Sequence, residues 1–76
     1  MPQLRYTQHA RSRMARRQIS EAEVEAVLRS HDTEYPGRRG ARVLVGGAGE
    51  RRIKVVVAEE GDQIVVITVA GKGEDV

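Results

Sequence analysis

The sequence has no cysteine, phenylalanine or tryptophan, and tyrosine occurs only twice among its 76 residues. Without cysteine the chain has no disulfide scaffold, no thiolate metal site and no cysteine nucleophile. Its core must be built from Val, Ile, Leu, Ala and Met. So few aromatic residues argue against a single-strand binder that works by base stacking. A cysteine-free chain suits a reducing compartment, and we predict a cytoplasmic location.

Long apolar segments are also missing. No run reaches the ~18 residues of a membrane span, and the N-terminus lacks the apolar segment of a signal peptide. A chain of 76 residues is long enough for one domain. We therefore expect a single soluble domain over residues 1–69, a flexible tail over residues 70–76, and no membrane partner.

The common cofactor and metal motifs are absent as well. There is no P-loop, no GxGxxG segment and no group of residues at metal-ligand spacing. The two histidines, His9 and His31, fall in or beside different predicted helices with no clear carboxylate partner. We expect neither a cofactor nor a metal.

The charge that is present is arranged in blocks, although the formal net charge is only +2. Residues 1–19 carry five arginines and no acid, and residues 37–54 carry six basic residues and one acid. Residues 20–36 and 55–76 are acidic. If the two basic segments meet in the fold, they form a surface that favours RNA or DNA. A coding bias towards arginine explains the composition equally well.

Two helices are predicted in the N-terminal half. The first begins after Thr7, a suitable N-cap, and ends near Arg17. The second begins at Ser20, which forms a capping box with Glu23. Its apolar positions recur at helical spacing, at Val24, Val27 and Leu28. Because the link between the helices is short, we expect them to lie side by side.

Extended segments follow the second helix. Pro36 and Gly37 indicate a turn, and Gly46–Gly49 indicates a flexible connection. Three strands are predicted, over Arg42–Val45, Arg52–Ala58 and Gln63–Val69, and Pro2–Tyr6 is a candidate edge strand. The sequence therefore predicts an α+β fold with two N-terminal helices packed on a three- or four-stranded antiparallel sheet.

One row of polar residues is the main candidate site. His9, Arg13 and Arg17 are spaced i, i+4 and i+8, so a helix would place them on one face. A neutral imidazole can act as a general base near neutral pH, and guanidinium groups can hold a phosphate. Two other interpretations stay open. His9 caps the helix or packs beside Tyr6, and the arginines are solvated or pair with glutamates of the second helix.

A second candidate site lies on the predicted sheet. Lys54 and Arg52 share the face opposite Ile53, and Arg42 could join them from the neighbouring strand. Such a face could follow a nucleic-acid backbone. A solvated sheet face is an equally natural interpretation.

The sequence resembles a small bacterial family, domain-of-unknown-function family 4258. The resemblance extends from about Tyr6 to Val69 and follows the pattern "HA..RM..R.I...V..vL" with a later "vViTv" strand. The matching residues are Tyr6-Thr7, His9-Ala10, Arg13-Met14, Arg17, Ile19-Ser20, Val24, Val27-Leu28 and Val65-Val66-Ile67-Thr68-Val69. The resemblance implies a fold similar to RelE- and BrnT-type toxins of toxin–antitoxin pairs.

That likeness implies a metal-independent ribonuclease or a ribosome-associated, RNA-cleaving toxin. His9, Arg13 and Arg17 would be its catalytic residues, and Lys54 and Thr68 would join Arg42 and Arg52 as RNA contacts. Its partners would be RNA or the ribosome and a cognate antitoxin. The alternative is a non-catalytic module that binds nucleic acid, a protein, or a second copy of itself as a homodimer.

Overall fold

A computed structural model describes residues 3–48 and 51–71 of the chain. Over these residues it has two helices, α1 (Gln8–Arg17) and α2 (Glu21–Ser30), and a short 3-10 turn at Arg38–Gly40. Its strands are β1 (Gln3–Tyr6), β2 (Thr33–Pro36), β3 (Arg42–Ala48), β4 (Arg51–Glu60) and β5 (Gln63–Gly71).

The strands form one sheet in the order β1-β5-β4-β3-β2. β1 runs parallel to β5, whereas the other neighbours are antiparallel. The predicted α+β class is confirmed, but the sheet is mixed and has five strands, so the expectation of a three- or four-stranded antiparallel sheet is wrong. β2 escaped prediction because this edge strand is exposed throughout and ends in Pro36, so it shows no alternation of apolar residues.

Local capping defines the helix ends. The Thr7 hydroxyl accepts a hydrogen bond from the Ala10 amide at 3.0 Å. Ser20 and Glu23 exchange the two bonds of the predicted capping box, at 3.1 and 2.9 Å. α1 ends at Gln18, whose φ of 56° is left-handed, and this turns the chain directly into α2.

The helices pack against one side of the sheet, which we call the helix face. Alternating residues of β4 point towards them, as the period of two in a strand requires. The buried cluster on this face contains Ala10, Met14, Ile19, Val24, Val27, Leu44, Ile53, Val55, Val57, Val66 and Val69. Ile19 and Val24, which occupy the positions of a hydrophobic staple around the start of α2, both belong to it.

The other side of the sheet, which we call the open face, has a smaller apolar cluster of its own. It consists of Ala41, Val43, Val45 and Val56, with Ile67 packed against it. A β-bulge interrupts the pairing of β5 with β4. Val56 pairs with Thr68, whereas the next residue, Val57, pairs with Val66. Ile67 is therefore the extra residue between two successive strand pairs.

The last strand extends further than the sequence indicates. β5 continues through Ala70, which is buried, to Gly71. The remainder of the predicted tail, residues 72–76, lies outside the described residues.

A glycine in β3 lets α2 approach the sheet. Gly46, Gly47 and Ala48 continue β3, although the sequence indicated a loop there. A Cβ atom on Gly46 would lie 3.0 Å from the Cα of His31 and 3.3 Å from the carbonyl oxygen of Ser30. The end of α2 therefore packs directly on the backbone of β3.

Two substitutions test this contact. We predict that Gly46→Ala lowers the free energy of unfolding by about 1–3 kcal/mol, because backbone atoms must move to admit the methyl group. Gly47→Ala is the matched control, since its nearest neighbour would be the Arg51 carbonyl oxygen at 3.7 Å. Urea denaturation of both variants measures the difference. Equal stability of the two would show that the close approach to His31 has no energetic consequence.

The charge blocks of the sequence pair with one another in the fold. Four acids of residues 20–36 bind arginines of the two basic segments: Glu21 to Arg11, Glu23 to Arg51, Asp32 to Arg52 and Glu34 to Arg42. Exposed pairs of this kind add little to stability. Their main effect is to offset much of the positive charge that each basic segment would present by itself.

The pair between Asp32 and Arg52 has the best geometry. The guanidinium of Arg52 donates to both carboxylate oxygens, at 2.6 and 2.8 Å, and the Thr33 hydroxyl donates to one of them at 2.9 Å. The bonds from Arg52, followed by that from Thr33, hold the pKa of Asp32 well below its usual range. The carboxylate in turn raises the pKa of Arg52.

This lowered pKa predicts a dependence of stability on pH. The folded state binds the Asp32 proton less tightly than the unfolded state, so the pair stabilises the fold above pH ~4. That contribution is lost as the pH falls through the pKa of the folded state. Between about pH 7 and pH 3, wild type should therefore lose more free energy of unfolding than Asp32→Asn does.

Urea titrations at several pH values measure this loss. Asp62→Asn, in the exposed turn between β4 and β5, is the matched control and should follow wild type. Parallel curves for wild type and Asp32→Asn would contradict the prediction.

Candidate nucleic-acid interface

The predicted polar row lies on α1. His9, Arg13 and Arg17 all fall within Gln8–Arg17, while Ala10 and Met14 are buried beside them. A rise of about 1.5 Å per residue separates successive members of the row by about 6 Å and its ends by about 12 Å. Neighbouring members are therefore close enough to contact the same phosphate.

His9 is exposed at the first turn of α1. The interpretation of His9 as the helix cap is wrong, because the hydroxyl of Thr7 accepts the capping hydrogen bond from the Ala10 amide. The Thr7 hydroxyl also donates to the Ile67 carbonyl at 2.8 Å, which anchors this end of α1 to β5. The ring of Tyr6 lies under the guanidinium of Arg11, at 4.9 Å. The imidazole thus stands at a rigid helix start and faces solvent.

The two arginines of the row differ in exposure. Arg13 is half-buried and its Nε is inaccessible to solvent, so its aliphatic stem covers the core. Arg17 is exposed and lies in the last turn of α1. Positive charge is favoured at this end of a helix, which is a sufficient structural reason for an arginine there.

The second basic segment meets α1 at Arg17. The guanidinium of Arg51 donates to the carbonyl oxygens of Arg17 and Gln18, at 3.5 and 3.0 Å, and to the carboxylate of Glu23 at 3.2 Å. Arg17, Arg51 and Arg52 line a cavity of about 160 Å³. We call these three residues the arginine corner.

Sequence reasoning left Arg51 out of the site. The signal that could have indicated it is the adjacent pair Arg51-Arg52 at the start of a strand, in the segment expected to approach the first helix. The carbonyl groups at the end of α1 explain its position, since they lack partners within the helix. Glu23 forms an ion pair with Arg51, and Asp32 forms one with Arg52.

The predicted sheet residues do not form one surface. Lys54 and Arg52 share the open face, because they pair with Val45 and Gly47 in the β3–β4 register. Arg42 pairs with Val57, so its side chain projects from the helix-face side and binds Glu34. Arg42 therefore does not join the other two. Thr68 lies on the open face and is buried.

A separate hydrogen-bonded group holds Arg42. The two ring nitrogens of His31 contact the Val27 carbonyl at 3.2 Å and the Glu34 carboxylate at 2.9 Å. Hydrogen bonds from His31 and then from Arg42 lower the pKa of Glu34. This group joins the end of α2 to β2 and β3. Arg42 and His31 therefore have structural roles.

The candidate residues are divided between the two sides of the sheet. The row on α1 lies on the helix face, whereas Lys54 and Thr68 lie on the open face. Arg52 also projects from the open face, but near the start of β4 it lines the cavity beside Arg17. Among residues 3–48 and 51–71, no three histidine, aspartate or glutamate side chains are grouped as metal ligands. Neither described helix has the length and apolarity to cross a membrane. The fold does bring Arg51 and Arg52 of the arginine corner beside Arg17 at the end of α1.

Comparison with known proteins identifies the family and no activity. No curated protein and no solved structure matches the chain at a significant level. A family model described as "Domain of unknown function (DUF4258)" matches residues 6–70. That description contains no link to RelE- or BrnT-type toxins. Since the match covers nearly the whole chain, including the row on α1 and the arginine corner, the protein belongs to the DUF4258 family.

Proposed function

We propose that this protein binds RNA through the exposed side of α1 and the arginine corner. The observation that carries the proposal is the meeting of the two basic segments. Arg51 contacts Gln18 at 3.0 Å although 33 positions separate them in the chain. Arg13 and Arg17 stand one helical turn apart beside this contact.

The chemistry of these side chains suits a phosphate backbone. A guanidinium offers a planar fork of N–H donors that matches phosphate oxygens. Glu23 pairs with Arg51 and Asp32 pairs with Arg52, which reduces the net charge of the arginine corner, so binding would be of modest strength. Because the contacts are electrostatic, added salt should weaken them.

We predict that Arg17→Gln weakens binding of a fluorescein-labelled single-stranded RNA of 20 nucleotides. The slope of log affinity against log salt concentration should fall in magnitude by about 1, because one phosphate contact is lost. Fluorescence anisotropy at several salt concentrations measures both quantities.

Arg5→Gln is the matched control. Arg5 is also an exposed arginine and pairs with Glu60 at 3.1 Å. In the sheet Arg5 pairs with Val65 of β5, which in turn pairs with Ala58 of β4. Ala58 lies six residues along β4 from Arg52, a distance of about 20 Å. Equal effects of the two substitutions would show that only overall charge matters. Salt-independent binding would contradict the proposal altogether.

RNA cleavage is a second candidate function, favoured by the exposure of His9 one turn from Arg13. In this reaction the 2′-hydroxyl attacks the adjacent phosphorus and His9 takes its proton. Arg13 stabilises the charge that develops on the phosphate oxygens. The bond to the 5′-oxygen breaks, that oxygen gains a proton, and a 2′,3′-cyclic phosphate remains. The toxin interpretation, with its ribosome and antitoxin partners, rests on the sequence resemblance.

We predict that His9→Ala abolishes cleavage of RNA, measured with EDTA present on free transcripts and on translating ribosomes. His31→Gln is the control, because it removes the other histidine while keeping a hydrogen-bonding side chain near Glu34. Identical transcripts from wild type and His9→Ala would overturn the catalytic proposal. The binding proposal is judged separately, by Arg17→Gln and the salt dependence.

A further inference from the structure

A second cavity, of about 440 Å³, lies on the open face. Val43, Val56 and Ile67 form its apolar lining, and Arg38 and Arg39 line it from the turn before β3. Its volume falls in the range of small-molecule pockets, roughly 300–1,000 Å³. None of these residues belongs to the row on α1 or to the arginine corner.

The apolar part of the cavity follows from the strand register. Tyr35, Val43, Val56 and Thr68 occupy successive strands β2, β3, β4 and β5 in one row across the sheet. The bulge adds Ile67 to the same side. Val43 and Val56 of this row, together with Ile67, therefore give the cavity a hydrocarbon surface beside Thr68.

Thr68 supplies a polar group without a partner. The residue is 6 % exposed, and its Oγ1 has no hydrogen bond to any described residue. A buried hydroxyl without a partner is unfavourable, and valine would have the same shape without that penalty. The hydroxyl oxygen is itself screened from solvent, so a polar atom of a bound molecule would satisfy it once the Thr68 side chain turns towards the cavity that it lines.

Two arginines supply charge at the same cavity. Among the residues that the structure describes, no carboxylate pairs with Arg38 or Arg39, whereas ion pairs are formed by Arg5, Arg11, Arg42, Arg51 and Arg52. Their turn is closed by bonds from Gly37 N to Ala41 O at 2.8 Å and from Ala41 N to Arg38 O at 3.0 Å. Arg39 has a left-handed φ of 55° within this turn. Both arginines line the same cavity, so an anion bound there would lie beside two positively charged side chains.

We propose that this cavity binds a small organic acid with a hydrocarbon body. The carboxylate pairs with Arg38 and Arg39, the body covers Val43 and Val56, and a second polar atom bonds to Thr68. An acid of this kind accounts for all three features together, because an inorganic anion leaves the apolar lining uncovered and a neutral hydrocarbon leaves the arginines unpaired.

The direct test is a titration of the ¹⁵N-labelled protein with 3-(4-hydroxyphenyl)propionate, followed by NMR. We expect saturable shifts confined to the amides around residues 37–43, 56, and 67–68. Tyramine, which has the same hydroxyphenyl group and an amine in place of the carboxylate, should give none. Absence of saturation with the acid, or equal binding of the amine, would overturn the proposal.

Removal of the charges tests the carboxylate contact. The double variant Arg38→Gln/Arg39→Gln should bind the acid at least about tenfold more weakly, since charge-assisted bonds are the stronger class. Arg16→Gln/Arg29→Gln is the matched control, because it removes two exposed arginines of α1 and α2 that do not line the cavity. Equal affinities of the two double variants would overturn the assigned role of Arg38 and Arg39.

Thr68→Val tests the hydroxyl separately from the fold. The variant should bind 3-(4-hydroxyphenyl)propionate more weakly than wild type and bind 3-phenylpropionate with unchanged affinity. Its melting temperature should not fall, since valine keeps the shape and removes an unpaired polar atom. An equal loss for both acids would overturn the hydrogen bond to Thr68. Saturating acid should leave RNA affinity unchanged, so failure here is distinguishable from failure of the RNA proposal.

Discussion

The packing of α1 on β5 and of α2 on β3 and β4, all on one face of the sheet, constrains the rest of the molecule. Val55 and Val69 point towards the helices, so Lys54 and Ala70 must point away. The bulge at Ile67 keeps this alternation correct along the whole of β5. This alternation consequently sorts the polar and charged side chains to the two sides of the sheet.

This sorting separates two kinds of positive charge. Near α1, arginines of both basic segments meet, and acids of residues 20–36 hold several of them in place. A surface of this type presents several oriented guanidinium donors, which suits contacts to a polyanion, while its small net charge limits their strength. On the open face, Arg38 and Arg39 have no described acidic partner and adjoin an apolar cavity. That combination suits a small ligand with one charged end.

Features set by neighbouring residues were predictable from the sequence. The N-cap at Thr7, the capping box of Ser20 and Glu23, and the helical spacing of apolar residues depend on positions only three or four apart. The structure confirms them, along with the α+β class. The placement of His9, Arg13 and Arg17 on one helix followed in the same way. The prediction that Arg42 shares a face with Arg52 and Lys54 was wrong, because the sequence of either strand alone does not determine the register of β3 against β4.

The sequence by itself therefore determined the two helices, their caps, the core strands and the existence of a polar row on α1. Tertiary structure decided which segments meet. The parallel contact of β1 with β5, the approach of α2 to Gly46 and the bond from Arg51 to the end of α1 join residues far apart in the chain. The cavity beside Thr68 also needs β3, β4 and β5 in register. Local propensity cannot specify such contacts, because they depend on burial of the helix face as a whole.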